Sequence, residues 1–139
     1  MKFLVIVMFM IPFTLAGQTV KSYQQSMEKF KKFYNAGKGD SINAMFGPIR
    51  DEFKSMRPLW TNDQSTDFLN EYGTLQSFKF IGIDTTDPNK VYVFKTVFSK
   101  KGINATSLTL DKNNHLGTFR FITTSDEITL LLKNSLNRR

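Results

Sequence analysis

No cysteine occurs anywhere in the 139 residues. That absence excludes disulfides and thiolate metal sites, on which small eukaryotic secreted domains usually depend because their cores are marginal. Histidine is nearly absent too. With His115 alone, a zinc site would have to be built from carboxylates, an unusual donor set. Beyond Phe13 there is no apolar run approaching the ~20 residues that cross a bilayer as a helix. Internal repeats, low-complexity tracts and linkers are also missing. No pair of carboxylates or nucleophile–base arrangement stands out as a reaction centre.

What is present begins with a leader. Met1 and Lys2 give a positive start, Phe3 to Phe13 is almost wholly apolar, and Thr14 and Ala16 are small residues at minus three and minus one of a cleavage site. This predicts a secretory signal peptide over residues 1–17 and one α+β domain over 18–139. The remaining chain, about 122 residues, suits one core. Export without cysteine fits a periplasmic or secreted bacterial protein, in which the Asn104-Ala105-Thr106 sequon carries no weight. The formal charge is +7, of which Lys2 is one unit. A basic balance ordinarily points to nucleic acid, which an exported protein rarely meets. Anionic envelope polymers and lipid head groups are the available counterparts.

Helical spacing follows the leader. Val20, Tyr23, Met27, Phe30 and Tyr34 recur in steps of three and four, and Gly37 is placed to end that helix. Asp40 or Ser41 is expected to cap a short second helix with Ile42, Met45 and Phe46 inward. Gly47-Pro48 breaks it, and a segment carrying Ile49 and Phe53 follows. A third helix starting near Asp63 carries Phe68, Leu69 and Tyr72 and ends at Gly73.

From Leu75 to Thr123 the pattern changes to four β-branched and aromatic runs. Turn signals separate them at Asp87-Pro88-Asn89, Lys100-Lys101-Gly102 and Asp111 to Asn114. Short connections make sequence neighbours sheet neighbours, giving an antiparallel meander. A period of two gathers Phe78, Phe80, Tyr92, Phe94, Phe98, Leu108, Leu110, Phe119 and Phe121 on one face, the side expected to meet the helices. The other face gathers Lys79, Ile81, Val91, Val93, Lys95, Val97, Ala105, Ser107, Thr118 and Arg120. That mixture of apolar residues and cations makes Lys79, Val93, Lys95 and Arg120 the candidate interaction surface. Tyr34 of the first helix, Trp60 ahead of the third and Tyr92 of the sheet are candidates to line a pocket for a small apolar ligand. The tail reads as an amphipathic C-terminal helix: Ser125 caps, Asp126 and Glu127 open it, Ile128, Leu131, Leu132 and Leu136 share a side, and Lys133, Arg138 and Arg139 close it.

Chemical motifs are weak. Ser26 and Lys29 form a Ser-x-x-Lys pattern of the kind used by penicillin-recognising hydrolases, but its companion motifs are absent. Ten serines and fourteen lysines yield about one such match by chance. Asp63, Asp67 and Glu71 fall along one helical side, as a solvated face would. Asp40, Asp63, Asp87 and Asp111 have cap or turn roles. No catalytic residue, metal site or cofactor is assigned.

Three segments carry a resemblance. YNAGKGDSINAMFGP (34–48), FLNEYGTLQSFKF (68–80) and SLTLDKNNHLGTFRF (107–121) look like a family of exported bacterial domains of unknown function that stand alone or precede a serine hydrolase of the β-lactamase type. The likeness runs from about Tyr23 to Ile122. It implies a cystatin-like, nuclear-transport-factor-two-like cone, with helices filling the concave side of a curved sheet. It also implies dimerisation through the outer sheet face, and brings no catalytic residue. The expected function is a non-catalytic binding or accessory domain of the envelope. Its partner is an anionic polymer, a small apolar ligand or a second copy. The alternative is a cone-fold enzyme using Asp84 or Glu71 as a base in an apolar cup.

Overall fold

The computed structural model describes residues 20–47, 60–84, 91–122 and Leu130. The leader, the Ile49–Phe53 segment, the Asp87-Pro88-Asn89 turn and the apolar side proposed for the tail lie outside the described residues. Among the described residues three helices precede the sheet: α1 over 20–35, α2 over Gly39–Ala44 and α3 over Asn62–Tyr72. Four strands follow: β1 Leu75–Asp84, β2 Val91–Phe98, β3 Gly102–Leu110 and β4 Leu116–Ile122, paired in sequence order and antiparallel throughout. The α+β class and the meander are as the sequence patterns predict. No described helix is long and apolar enough to cross a membrane.

Local chemistry sets the helix boundaries. α1 ends in two reversed bonds, Gly37 N to the Tyr34 carbonyl and Lys38 N to the Phe33 carbonyl, each 2.9 Å. That pairing needs a left-handed residue, supplied by Gly37 at φ 67°. Two cap assignments are corrected. The N-cap of α2 is Lys38, with no side-chain bond, rather than Asp40 or Ser41. The helix starts early because Gly39 has no Cβ to collide with the Thr61 carbonyl, so α2 and α3 approach backbone to backbone. Asp40 instead links the two helices: its N–H donates to Asn62 Oδ1 at 3.2 Å and its carboxylate accepts from Asn62 Nδ2 at 3.0 Å. The cap of α3 is Thr61, which forms a reciprocal capping box with Gln64, so Asp63 sits in the first turn.

The core lies between helices and sheet. Tyr23, Met27, Phe30 and Tyr34 of α1, Ile42 of α2 and Tyr72 of α3 cluster with Leu75, Tyr92, Phe94, Phe98, Leu108 and Leu116 of the sheet. All nine residues that alternation assigns to the helix side belong to this cluster or pack against it. One strand departs from simple alternation. The β1–β2 register shifts between Phe80 and Gly82, so Phe80 opposes Phe94 and Ile83 opposes Tyr92. The extra residue turns Ile83 toward the core, where strict alternation from Phe80 would have turned it away.

Both outer strands are tied at their first residues. Asn35 clamps Leu75, donating to its carbonyl at 3.0 Å and accepting from its N–H at 2.8 Å. At β4, residues 45–47 run alongside Leu116, whose N–H donates to the Met45 carbonyl at 2.8 Å. Such covering suppresses edge-to-edge pairing with other chains.

Candidate functional site

The helix-side face contains rings against rings. Tyr34 is completely buried and its hydroxyl is shared between the Phe68 and Gly73 carbonyls, at 3.1 and 2.9 Å. This bond joins α1 to the end of α3, where Gly73 adopts φ 77° and a Cβ would strike Ser99 and the Lys100 backbone. Trp60 packs on Phe68, and Trp60 and Tyr34 both meet Phe30 and Phe121. Tyr92 is elsewhere, stacked on Tyr23 with centroids 3.5 Å apart and against Phe80. The Tyr23 hydroxyl accepts from the Leu110 N–H at 3.0 Å. The three residues proposed for one pocket thus occupy two parts of the aromatic core. Burial raises the ionisation of Tyr23, Tyr34, Tyr72 and Tyr92 above the ordinary tyrosine value, with the nearby Glu71 charge a lesser cause at Tyr34 and Tyr72.

Among the described residues no acidic side chain is buried in this core. The buried polar residues among those described are Ser26, Ser65, Thr96, Asn104, Thr106 and Ser107, none of them acidic. Thr96 and Thr106 satisfy each other at 3.0 Å. Glu71 is exposed and pairs with Lys101 at 3.4 Å, the lysine also lying 5.6 Å from the Tyr72 ring centre. Ser26 is buried whereas Lys29 is exposed, so they are not arranged as nucleophile and base. His115 belongs to the β3–β4 turn: Asp111 accepts from the N–H groups of Asn113 and His115 at 2.8 and 2.9 Å and faces the His115 ring at 3.1 Å. These bonds, the His115 backbone one foremost, hold the Asp111 carboxyl below its ordinary range. Among the described residues no cluster of three His, Asp or Glu could hold a metal ion.

The opposite face is built in tiers by the strand register. Val97 opposes Ile103; Lys79 opposes Lys95, which opposes Ala105; Gly82 opposes Val93, which opposes Ser107, which opposes Arg120. Directly opposed side chains have Cβ atoms about 5 Å apart, and like charges there repel. Neither Lys79 nor Lys95, nor the exposed Arg120 two strands away, finds a carboxylate partner among the described residues. Lys79 is exposed and Lys95 half-buried. Val93 differs from these cations in being 2% exposed. Alternation places all four residues on one face; the direct opposition of Lys79 and Lys95 requires the register, which a sequence does not print.

Comparison with protein-family models, with curated proteins and with solved structures finds no match to this chain.

Proposed function

We propose that this chain is a non-catalytic binding or accessory domain exported to a bacterial envelope, and that it engages an anionic polymer on the outer face of its sheet. The observation carrying the proposal is the opposed pair Lys79 and Lys95 on neighbouring strands, which has no carboxylate partner among the described residues. Repulsion across β1 and β2 costs stability in the free protein, and a bound row of phosphates or carboxylates would relieve it. Arg120 extends the positive field toward β4.

The cystatin-like cone is part of the same reading. Helices packed on one face support it, as do the register shifts in β1 and between Thr109 and Leu110, since bulges bend strands and curve sheets. Export rests on the leader sequence, and mass spectrometry of secreted material should find an N-terminus within a residue or two of Gly17.

The binding test uses inorganic polyphosphate and a polyuronate as probes, with affinity read by titration at several salt concentrations. Affinity should fall steeply with salt and be lost in Lys79→Glu and Lys95→Glu. Lys38→Glu and Lys112→Glu, exposed lysines off this face, should retain it. Equal weakening by all four substitutions would mean general charge attraction and would overturn the assignment. A salt-insensitive dimer broken by Lys95→Glu would replace the polymer with a second copy.

A further inference from the structure

The outer face has a burial pattern that the described elements do not produce. Val93 is 2% exposed, Ala105 1% and Ser107 7%, although all three point away from the aromatic core. A sheet face open to water would leave a valine on a central strand well exposed. The described helices reach the sheet through the other face, by way of Tyr23, Met27, Phe30, Tyr34, Ile42 and Tyr72. Ile103, on the same outer face near the β2–β3 turn, is 54% exposed. Something therefore covers the middle of β2 and β3 and stops short of that end.

We propose that the cover is the C-terminal segment of this chain, residues 126–139, laid across the outer face with Ile128, Leu131, Leu132 and Leu136 turned to Val93 and Ala105. Three facts select it. β4 ends at Ile122, which is the register partner of Ala105, so the chain leaves the sheet beside the covered patch. The three residues from Thr123 to Ser125 span at most about 10 Å, and fourteen helical residues extend about 21 Å, more than the ~14 Å from the first strand of such a sheet to the fourth. Leu130 is helical and 59% exposed. On a helix of 3.6 residues per turn it falls opposite the side shared by Ile128, Leu131, Leu132 and Leu136, as it must if that side is turned inward. Small side chains at Ala105 and Ser107 leave the trough in which such a helix would lie.

The outer face is thereby divided. Its apolar middle is occupied by the protein's own tail, and the part left to an external partner is the cationic strip at Lys79 and Lys95 with the exposed Ile103 end. This inference stands on burial and chain path alone and does not depend on what the strip binds.

The absence of cysteine makes the test direct. Val93→Cys is placed in the full-length mature chain, and its labelling by a maleimide is timed under native conditions, with Ile103→Cys as the exposed reference. Val93→Cys should label at least about 100-fold more slowly than the reference, since reaction then needs local opening. Adding Leu131→Glu with Leu132→Glu should accelerate it by about tenfold or more, whereas Leu130→Glu should leave it within about twofold. Circular dichroism checks that each variant is folded. Should the double glutamate variant unfold, oxidative cross-linking replaces it: Ser107→Cys should form a disulfide with Leu132→Cys and not with Leu130→Cys. Fast labelling of Val93→Cys, indifference to Leu131 and Leu132, or protection that grows with protein concentration would each overturn the inference. The last result would identify a second copy as the cover.

Discussion

The two faces of one sheet solve different problems with the same backbone. The helix side carries Phe78, Phe80, Tyr92, Phe94, Phe98, Phe119 and Phe121, and its rings interlock with Tyr23, Phe30 and Tyr34. The outer side carries Val93, Ala105 and Ser107 beside Lys79 and Lys95, two lysines that oppose each other directly. A face chosen for stability alone would not oppose Lys79 to Lys95. The contrast teaches that packing accounts for the placement of the rings on the aromatic side, whereas the outer side retains an arrangement that costs the fold something, which is where binding should be sought.

The strongest way to break the comparison is to remove a ring from the helix side. Phe94 is wholly buried in the core, its ring against Phe78 and Phe80 of β1. Phe94→Ala should destabilise by about 3–5 kcal/mol in urea unfolding. Lys95→Ala, the adjacent residue pointing outward, should cost far less. Equal losses would show that the faces are not distinct.

Alkali should act on the same side. All four tyrosines have ionisations raised above 10.0 by burial. The folded state therefore disfavours phenolate. The stabilisation this linkage gives is full below pH 10 and is lost as pH rises through the raised folded-state values. Phenolate absorbance and loss of structure should rise together above pH 10 in one transition. Normal titration of the tyrosines in a protein that stays folded would contradict their burial.

A smaller loss is expected from Tyr34→Phe, which keeps the ring and removes the hydroxyl shared by Phe68 and Gly73. About 1–2 kcal/mol should be lost, because the buried Gly73 carbonyl loses this donor, and exchange of the Gly73 region should quicken. The smallest effect has the opposite sign. Lys95→Glu turns the repulsive pair with Lys79 into an attractive one and should stabilise by a few tenths to about 1 kcal/mol, read as a raised denaturation midpoint at low salt.

Much of this was legible in the sequence. The period of two sorted every aromatic of the sheet correctly because ring burial is a strong and local requirement. Gly37, Gly73, Gly102 and Asn114 mark turns because left-handed backbone selects those residues. The caps were less legible: Thr61 prevailed over Asp63 through a reciprocal bond with Gln64, and Gly39 moved the start of α2 by allowing contact with Thr61. Tyr34, Trp60 and Tyr92 are candidates for one pocket in the sequence, yet Tyr34 and Trp60 both meet Phe30 and Phe121 whereas Tyr92 stacks on Tyr23. Alternation says which way Val93 points but not what lies above it, since coverage depends on the path of distant residues.

The most direct test measures stability and polyphosphate affinity together on Tyr34→Phe and Lys95→Glu. Tyr34→Phe should lose stability and keep its affinity, while Lys95→Glu should keep or gain stability and lose its affinity. If the two properties fall together in both variants, the division between a structural face and a binding face is contradicted.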